Sequence, residues 1–193
     1  MQDQVFNNIP VPYNSILAAT RKLSFDMASD LQTGALLRTL VASKPGGKML
    51  ELGTGSGLST SWILQGMDHN AHLTTIENNA QLHEVATKHL SDRRAAFVLT
   101  DGYQWLKDYK GEKFDFIFAD AMPGKYDLFE EAFSLLNHGG IYFIDDMLPQ
   151  PNWPEGHAER VENFIAMLDQ RTDVMLTKLN WSTGIIIVTK NEK

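Results

Sequence analysis

Three glycines at alternate positions, Gly53, Gly55 and Gly57, follow the run Met49-Leu50-Glu51-Leu52 and lead into Leu58-Ser59-Thr60. Glycine lets a backbone turn sharply and lets a ligand approach where a Cβ would stand. A helix opening close to Ser59 would aim free N–H groups and the positive end of its dipole at the same spot. Gly53, Thr54, Gly55 and Gly57 are therefore candidate contacts for a bound small molecule. The spacing is not the Gly-x-Gly-x-x-Gly of dinucleotide-binding folds, because Leu58 fills the sixth position. Glu51 joins the candidates: a carboxylate at the loop mouth would repel a pyrophosphate and attract a ligand carrying positive charge. Without a ligand, the same residues make a tight strand–helix turn.

Two further acids fall at matching places. Glu77 comes 20 residues after Gly57, at the end of an apolar run and beside Asn78-Asn79. An acid there can accept from both hydroxyls of a ribose; the alternative is an acid favoured at a helix N-terminus. Asp101-Gly102 ends the next run. Its carboxylate could accept from an exocyclic amino group such as adenine's, or cap a helix beginning at Tyr103. If the runs lie side by side as strands, Glu77, Asn78, Asp101 and Gly102 share one crevice with the glycine loop.

Holding these residues together requires strands that all end on one side of a sheet. The pattern predicts strands over 48–52, 72–76, 96–99, 114–119, 140–144, 174–179 and 184–190, alternating with helices over 59–67, 80–91, 103–109, 126–136 and 155–171. An earlier helix over 30–44 places Leu31, Leu36, Leu37, Leu40 and Val41 mostly along one face, and Pro45-Gly46-Gly47 ends it. Only Asn180-Trp181-Ser182-Thr183 separate the last two strands, too few for a helical crossover, so those strands pair as an antiparallel hairpin. The outline is α/β: a Rossmann-like, seven-stranded, mostly parallel sheet with a C-terminal antiparallel hairpin and helices on both faces. Residues 1–28, with Pro10 and Pro12, read as an N-terminal cap segment, and 29–193 as the main domain.

A chain of 193 residues suffices for one such domain. The formal net charge of −7 argues against a broad nucleic-acid face, although Arg93-Arg94 and Lys107, Lys110 and Lys113 cluster locally. With no cysteine, any metal must use oxygen or imidazole donors. No apolar run reaches the ~20 residues of a membrane span, and Met1-Gln2-Asp3-Gln4 lacks the features of a secretory leader. The expectation is a cytoplasmic protein with a small-molecule partner, without membrane or nucleic acid, and a homodimer formed through the cap or the final hairpin.

Across 29–193 the chain resembles class I S-adenosylmethionine (SAM)-dependent O-methyltransferases, and among them the catechol and caffeoyl-coenzyme A type. The resemblance is carried by Thr33-Gly34-Ala35-Leu36-Leu37, the glycine loop with Glu51, Gly57-Leu58-Ser59-Thr60, Glu77, Asp101-Gly102, Asp120-Ala121, and Gly139-Gly140 leading to Asp145-Asp146. It implies SAM as cofactor, whose amino group and sulfonium are positive, and methyl transfer to a hydroxyl of a small, aromatic acceptor. It also implies that Ser59, and Ser29 as a weaker match, hold the methionine end of the cofactor, with Asp120 alongside.

The resemblance further implies a divalent cation, generally Mg²⁺, bound by Asp120, Asp145 and residue 146. Oxygen donors suit such an ion, and it would lower the pKa of a bound acceptor hydroxyl. Asp146 stands where asparagine is usual. Three carboxylates would then surround one ion, or Asp146 would turn outward or serve as a general base. The family's lysine, three residues after the strand-four aspartate, is Pro123 here. Lys125 lies two residues further on and is a catalytic candidate, as is His157 with its ordinary pKa near ~6.5. Each is otherwise a solvated or capping residue. Trp153 and Met147 are candidates to pack on an acceptor ring, and Trp181 for the pocket or a dimer contact. Two other functions fit the same resemblance: modification of a tRNA hydroxyuridine, or a cofactor-binding protein without catalysis. Leu58 and the hairpin disfavour a nicotinamide dehydrogenase.

Overall fold

The computed structural model describes residues 6–191, so the first five residues of the expected cap segment lie outside the described residues. Two helices, α1 (Tyr13–Lys22) and α2 (Leu31–Ala42), precede alternating strands and helices: β1 (Lys48–Leu52), α3 (Leu58–Gly66), β2 (His72–Glu77), α4 (Ala80–His89), β3 (Ala95–Leu99), α5 (Gly102–Asp108), β4 (Phe114–Ala119), α6 (Phe129–Ser134), β5 (Leu136–Ile144) and α7 (His157–Asp169). The hairpin strands β6 (Val174–Leu179) and β7 (Ile185–Lys190) close the sequence of elements.

The strands form one seven-stranded sheet in the order β3-β2-β1-β4-β5-β7-β6. β1 to β5 pair in parallel, and β7 runs antiparallel between β5 and β6. The chain leaves β1 in one direction along the sheet and β4 in the other, and a crevice opens at such a switch point. Register brings the candidate residues to its rim. Leu52 is level with Ile76 and Ala119, and Ala119 with Ile144. The residues that follow, Gly53, Glu77, Asp120 and Asp145, therefore emerge together.

Both faces of the sheet are covered, which is why the central strands read as near-continuous apolar runs. Leu50, Leu52, Ile117, Tyr142 and Ile144 pack against α5, α6 and α7 on one face. Met49, Phe116, Phe118 and Phe143 pack against α1, α2 and α3 on the other. Tyr13 and Ile16 of α1 are buried in this second cluster beside Trp62, and Thr20 Oγ1 donates to Ser56 Oγ at 2.7 Å. The first helix thus ties directly to the glycine loop. Among the described residues, no helix is long and apolar enough to cross a membrane.

Several element ends differ from the sequence expectation, each for a local reason. The helix expected over 126–136 shrinks to α6 because Leu128 takes a left-handed conformation, φ +54°, at its N-cap, and the chain before it is folded into a loop by a Pro123–Asp127 bridge. β5 begins at Leu136 instead of 140, and its pairing with β4 shifts register between Phe114 and Phe116, which absorbs Gly139 and Gly140. The helix expected from 155 starts at His157, behind Gly156 in a left-handed conformation.

Candidate active site

The glycine loop leaves β1 in a tight sequence of turns. Gly53 N and Thr54 N both donate to Ile76 O, at 3.1 and 3.0 Å, and Gly57 N donates to Thr54 O at 3.0 Å. Gly53, Gly55 and Gly57 all have positive φ. The demand is sharpest at Gly53, where a Cβ would stand 2.8 Å from the Asp120 carbonyl oxygen. Glycine there allows the end of β1 to lie against the end of β4.

The acid expected at the loop mouth sits beneath it. Side chains alternate along a strand, so Glu51 shares the Met49 face and turns under α3, with no solvent exposure. Ser59 Oγ donates to its Oε1 at 2.6 Å, and Thr60 Oγ1 and Thr75 Oγ1 donate to Oε2, each at 2.6 Å. Thr54 Oγ1 meets Thr75 Oγ1 at 2.5 Å, extending the chain of hydroxyls to the loop. Burial, opposed by the three hydroxyls, pushes the Glu51 pKa up to about 7. The folded protein therefore binds this proton more tightly than the unfolded chain. Its stabilising contribution is full below the ordinary carboxylate value and is lost as pH rises through about 7. Glu51→Gln removes the titration, so the stability of the variant relative to wild type should climb between pH 5 and 8, by roughly 1–3 kcal/mol at ~1.4 kcal/mol per pKa unit. Urea unfolding across that range measures it, and a pH-independent difference refutes it.

Glu77 does reach the crevice. Its Oε2 accepts from Gly55 N at 2.7 Å, and its Oε1 accepts from Asn78 N and Asn79 N at 2.9 and 2.8 Å. The carboxylate is thereby clamped at the end of β2 with lone pairs left over for a ligand's hydroxyls. Asn78 also lines the cavity, while the Asn79 side chain caps α4. Asp101 is exposed and caps α5 through Gln104 N at 2.9 Å; Gly102, next to it, lines the cavity. Ser29 Oγ donates to Asp120 Oδ2 at 3.2 Å, so the segment after α1 closes over the crevice.

The same cavity, about 900 Å³, runs from Gly53, Gly55, Ser59 and Glu77 to Tyr126, Trp153, His157 and Arg160. At this second end the Trp153 and His157 rings lie 4.7 Å apart, and Tyr126 Oη is 3.4 Å from His157 Nε2. Burial, then the positive charges of Lys125 and Arg160, lowers the His157 pKa. These influences favour the neutral imidazole. Tyr103 Oη donates to Asp127 Oδ2 at 2.8 Å, and Arg160 Nη2 donates to Asp127 Oδ1 at 2.6 Å. These bonds pin the rim.

Asp120, Asp146 and Lys125 line the same cavity. Burial, with repulsion from Asp145 and Asp146, holds Asp120 well above the usual carboxylate range. Burial and Asp146 push Asp145 to about 6. The three acids that the resemblance implies as metal donors thus lie near enough to repel one another, but a metal site is not shown. Among the described residues no three acids or histidines converge as a metal ion requires. Asp145 is 1% exposed, and its Oδ1 already accepts from Thr183 Oγ1 at 2.6 Å and from Asp146 N at 2.9 Å. Asp146 has φ +57° and lines the cavity, whereas Asp145 does not. An octahedral ion needs near-ideal oxygen geometry, and these residues do not fit one.

Lys125 points inward. It is only 4% exposed, and its Nζ lies 5.2 Å from the centre of the Tyr126 ring. The turn at Gly124 delivers it: φ is +85°, a Cβ would stand 2.3 Å from Leu52 Cδ1, and Gly124 N donates to Asp127 O at 2.6 Å. Tyr142 Oη donates to Gly124 O from below.

Two expectations for the acceptor end are corrected. Met147 is buried in the core against α7, away from the cavity wall, because it follows β5 under the hairpin. Trp181 packs into the cluster on the α2 face, outside the cavity. Several residues at the site went unforeseen. Tyr103 and Arg160 each lie in the first turn of a helix starting at the strand-end side, a placement that would have marked them. Thr183 precedes a strand antiparallel to β5, so topology alone returns it to Asp145. Nothing in the spacing of Phe25 and Met27 announces that they line the cavity.

Residues 50–147 match the family model of a methyltransferase domain. A candidate O-methyltransferase of Mycolicibacterium smegmatis is 31% identical over 140 residues, 68% of this chain and 67% of that protein. A second, from Mycobacterium avium, is 29% identical over 140 residues, 68% of this chain and 63% of that protein. The chain thus spans about two thirds, or slightly less, of the length of these relatives. Among solved structures, the O-methyltransferase TomG of Streptomyces achromogenes, involved in tomaymycin synthesis and in complex with SAM, superposes with a TM-score of 0.81 at 23% identity, covering 98% of this chain and 92% of that one. An O-methyltransferase from Bacillus cereus in complex with SAH gives 0.82 at 20% identity, covering 97% and 93%. These superpositions establish a shared fold.

Proposed function

This chain belongs to the methyltransferase-domain family, and from that premise we propose that it transfers the methyl group of SAM to a hydroxyl of a small, aromatic acceptor. One observation carries the reading. The crevice at the β1–β4 switch point, with its glycine loop and clamped Glu77, opens into the same cavity as an aromatic pocket bounded by Tyr126, Trp153 and His157. The first end suits a nucleoside with a charged tail: backbone N–H groups at the α3 terminus for a carboxylate, Glu77 for ribose hydroxyls, and Asp120 near a cationic centre. The second end suits a planar ring. A shared cavity lets acceptor oxygen, methyl carbon and sulfur line up, and alignment supplies much of the acceleration in such a displacement.

The test is transfer of labelled methyl from SAM to a panel of catechols and other phenols, with calorimetry of SAM binding alongside. Glu77→Ala should weaken SAM at least ~10-fold, about 1.4 kcal/mol, and an unchanged affinity would remove Glu77 from the cofactor site. Tight SAM binding with no product from any acceptor would favour a binding protein without catalysis. Retention of total tRNA at low salt, released as salt rises, would favour an RNA acceptor; the net charge of −7 weighs against it.

A further inference from the structure

Building on the methyl-transfer reading, we propose that Lys125, rather than a divalent metal, is the cation of this site: its ammonium holds the acceptor oxygen as that oxygen becomes negative. The lysine is 96% removed from solvent yet makes no hydrogen bond or ion pair from its side chain among the described residues. Its Nζ stays open to the cavity that the glycine loop and the aromatic pocket share, 5.2 Å from the centre of the Tyr126 ring. An oxygen supplied by a ligand would satisfy it.

Its surroundings agree. The positive charge of Lys125 lowers the pKa values of Asp120, Asp145 and His157 alike, so its head group lies among the three. Asp145 spends Oδ1 on Thr183 and on its neighbour's N–H, and no three donors converge. The positive charge that a metal would bring is supplied by the chain itself. The means is the Pro123-Gly124 turn, fixed from both sides by Tyr142 and Asp127. It carries the lysine inward from a position two residues beyond where the resemblance would place one.

In the step itself the acceptor hydroxyl releases its proton to water in the cavity. The oxygen lone pair forms a bond to the methyl carbon, the carbon–sulfur bond breaks, and its electron pair returns to sulfur. SAM loses its positive charge and the acceptor becomes a methyl ether. A point charge with three rotatable donors suits this role.

The experiment uses the full chain with Lys125→Met and Lys125→Arg. Wild type should turn over equally with and without EDTA. Titrated with Mn²⁺ and followed by electron paramagnetic resonance, it should show no binding tighter than millimolar. Lys125→Met should lose about 100-fold or more in kcat/KM, the scale of removing one preorganised charge donor, with SAM affinity unchanged by calorimetry; Lys125→Arg should recover part of the loss. A readout independent of turnover is the absorbance of bound 4-nitrocatechol in EDTA. It should appear as the anion in wild type and revert toward the neutral form in Lys125→Met. Loss of activity in EDTA restored by Mg²⁺, micromolar Mn²⁺ binding, or a nitrocatechol spectrum indifferent to Lys125→Met would each overturn the proposal. If no acceptor is methylated at all, the methyl-transfer reading falls by itself, and the Mn²⁺ and nitrocatechol measurements still decide the lysine's role.

Discussion

Gly53→Val should weaken SAM binding by at least ~100-fold, about 2.7 kcal/mol, while the protein remains folded. Two costs combine. Gly53 has φ +100°, a region closed to a β-branched residue without strain. Its Cβ would also stand 2.8 Å from the Asp120 carbonyl oxygen and 3.3 Å from Ala121 Cβ, backbone and side chain that cannot swing aside. Relief requires the end of β1 to move away from β4, and that opens the crevice where, on the proposed function, Thr54, Gly55 and Asp120 would meet the cofactor. Gly139→Ala is the matched control. It too has positive φ, +72°, but nothing lies within 4 Å of its Cβ position. It should therefore cost some stability and leave SAM affinity alone. Calorimetry and thermal melting on both variants separate the effects; Gly53→Val binding within threefold of wild type would refute the assignment of the loop.

The second large effect is on stability. Trp62→Ala should cost ~3–5 kcal/mol, and at ~2–4 °C per kcal/mol for a chain of this size the melting temperature should fall by roughly 6–20 °C. Trp62 is fully buried one turn inside α3. Tyr13 of α1 meets its ring edge-on at 6.1 Å, and the Arg38 guanidinium of α2 lies 5.0 Å above it. One side chain thus joins the two leading helices to the helix whose N-terminus borders the crevice. Its indole N–H has no partner, so Trp62→Phe discards area but no hydrogen bond and should cost less than half as much. Urea unfolding gives both values. A Trp62→Ala loss below ~1 kcal/mol would mean that the cluster repacks.

How much of this was legible follows from what each residue type can do locally. The glycine loop, Glu77 and the hairpin were readable because strand-then-glycine and a four-residue link leave few alternatives. The burial of Glu51 was also within reach, since alternation places it on the Met49 face, but its proximity to the glycines suggested the loop mouth. The shortened α6 was not readable: Leu128 in a left-handed conformation contradicts its type. Lys125 shows the limit most clearly. A lysine at a loop is ordinarily a solvated one, and only the three-dimensional closure of Tyr142 and Asp127 around Gly124 turns it inward. The left-handed backbone at Asp146 is likewise not signalled by composition.

The position of β7 has a consequence for the chain as it is made. β5 borders β4 on one side and β7 on the other, yet 40 residues lie between Ile144 and Ile185. At ~5–20 residues per second on a ribosome, β5 waits roughly 2–8 s for its second neighbour. During that interval Ile141–Ile144 form an open apolar edge, the kind that recruits strands from other molecules. Products of premature termination before residue 185 keep that edge permanently. They should accumulate as aggregates, and those that end before residue 183 also lack Thr183's bond to Asp145.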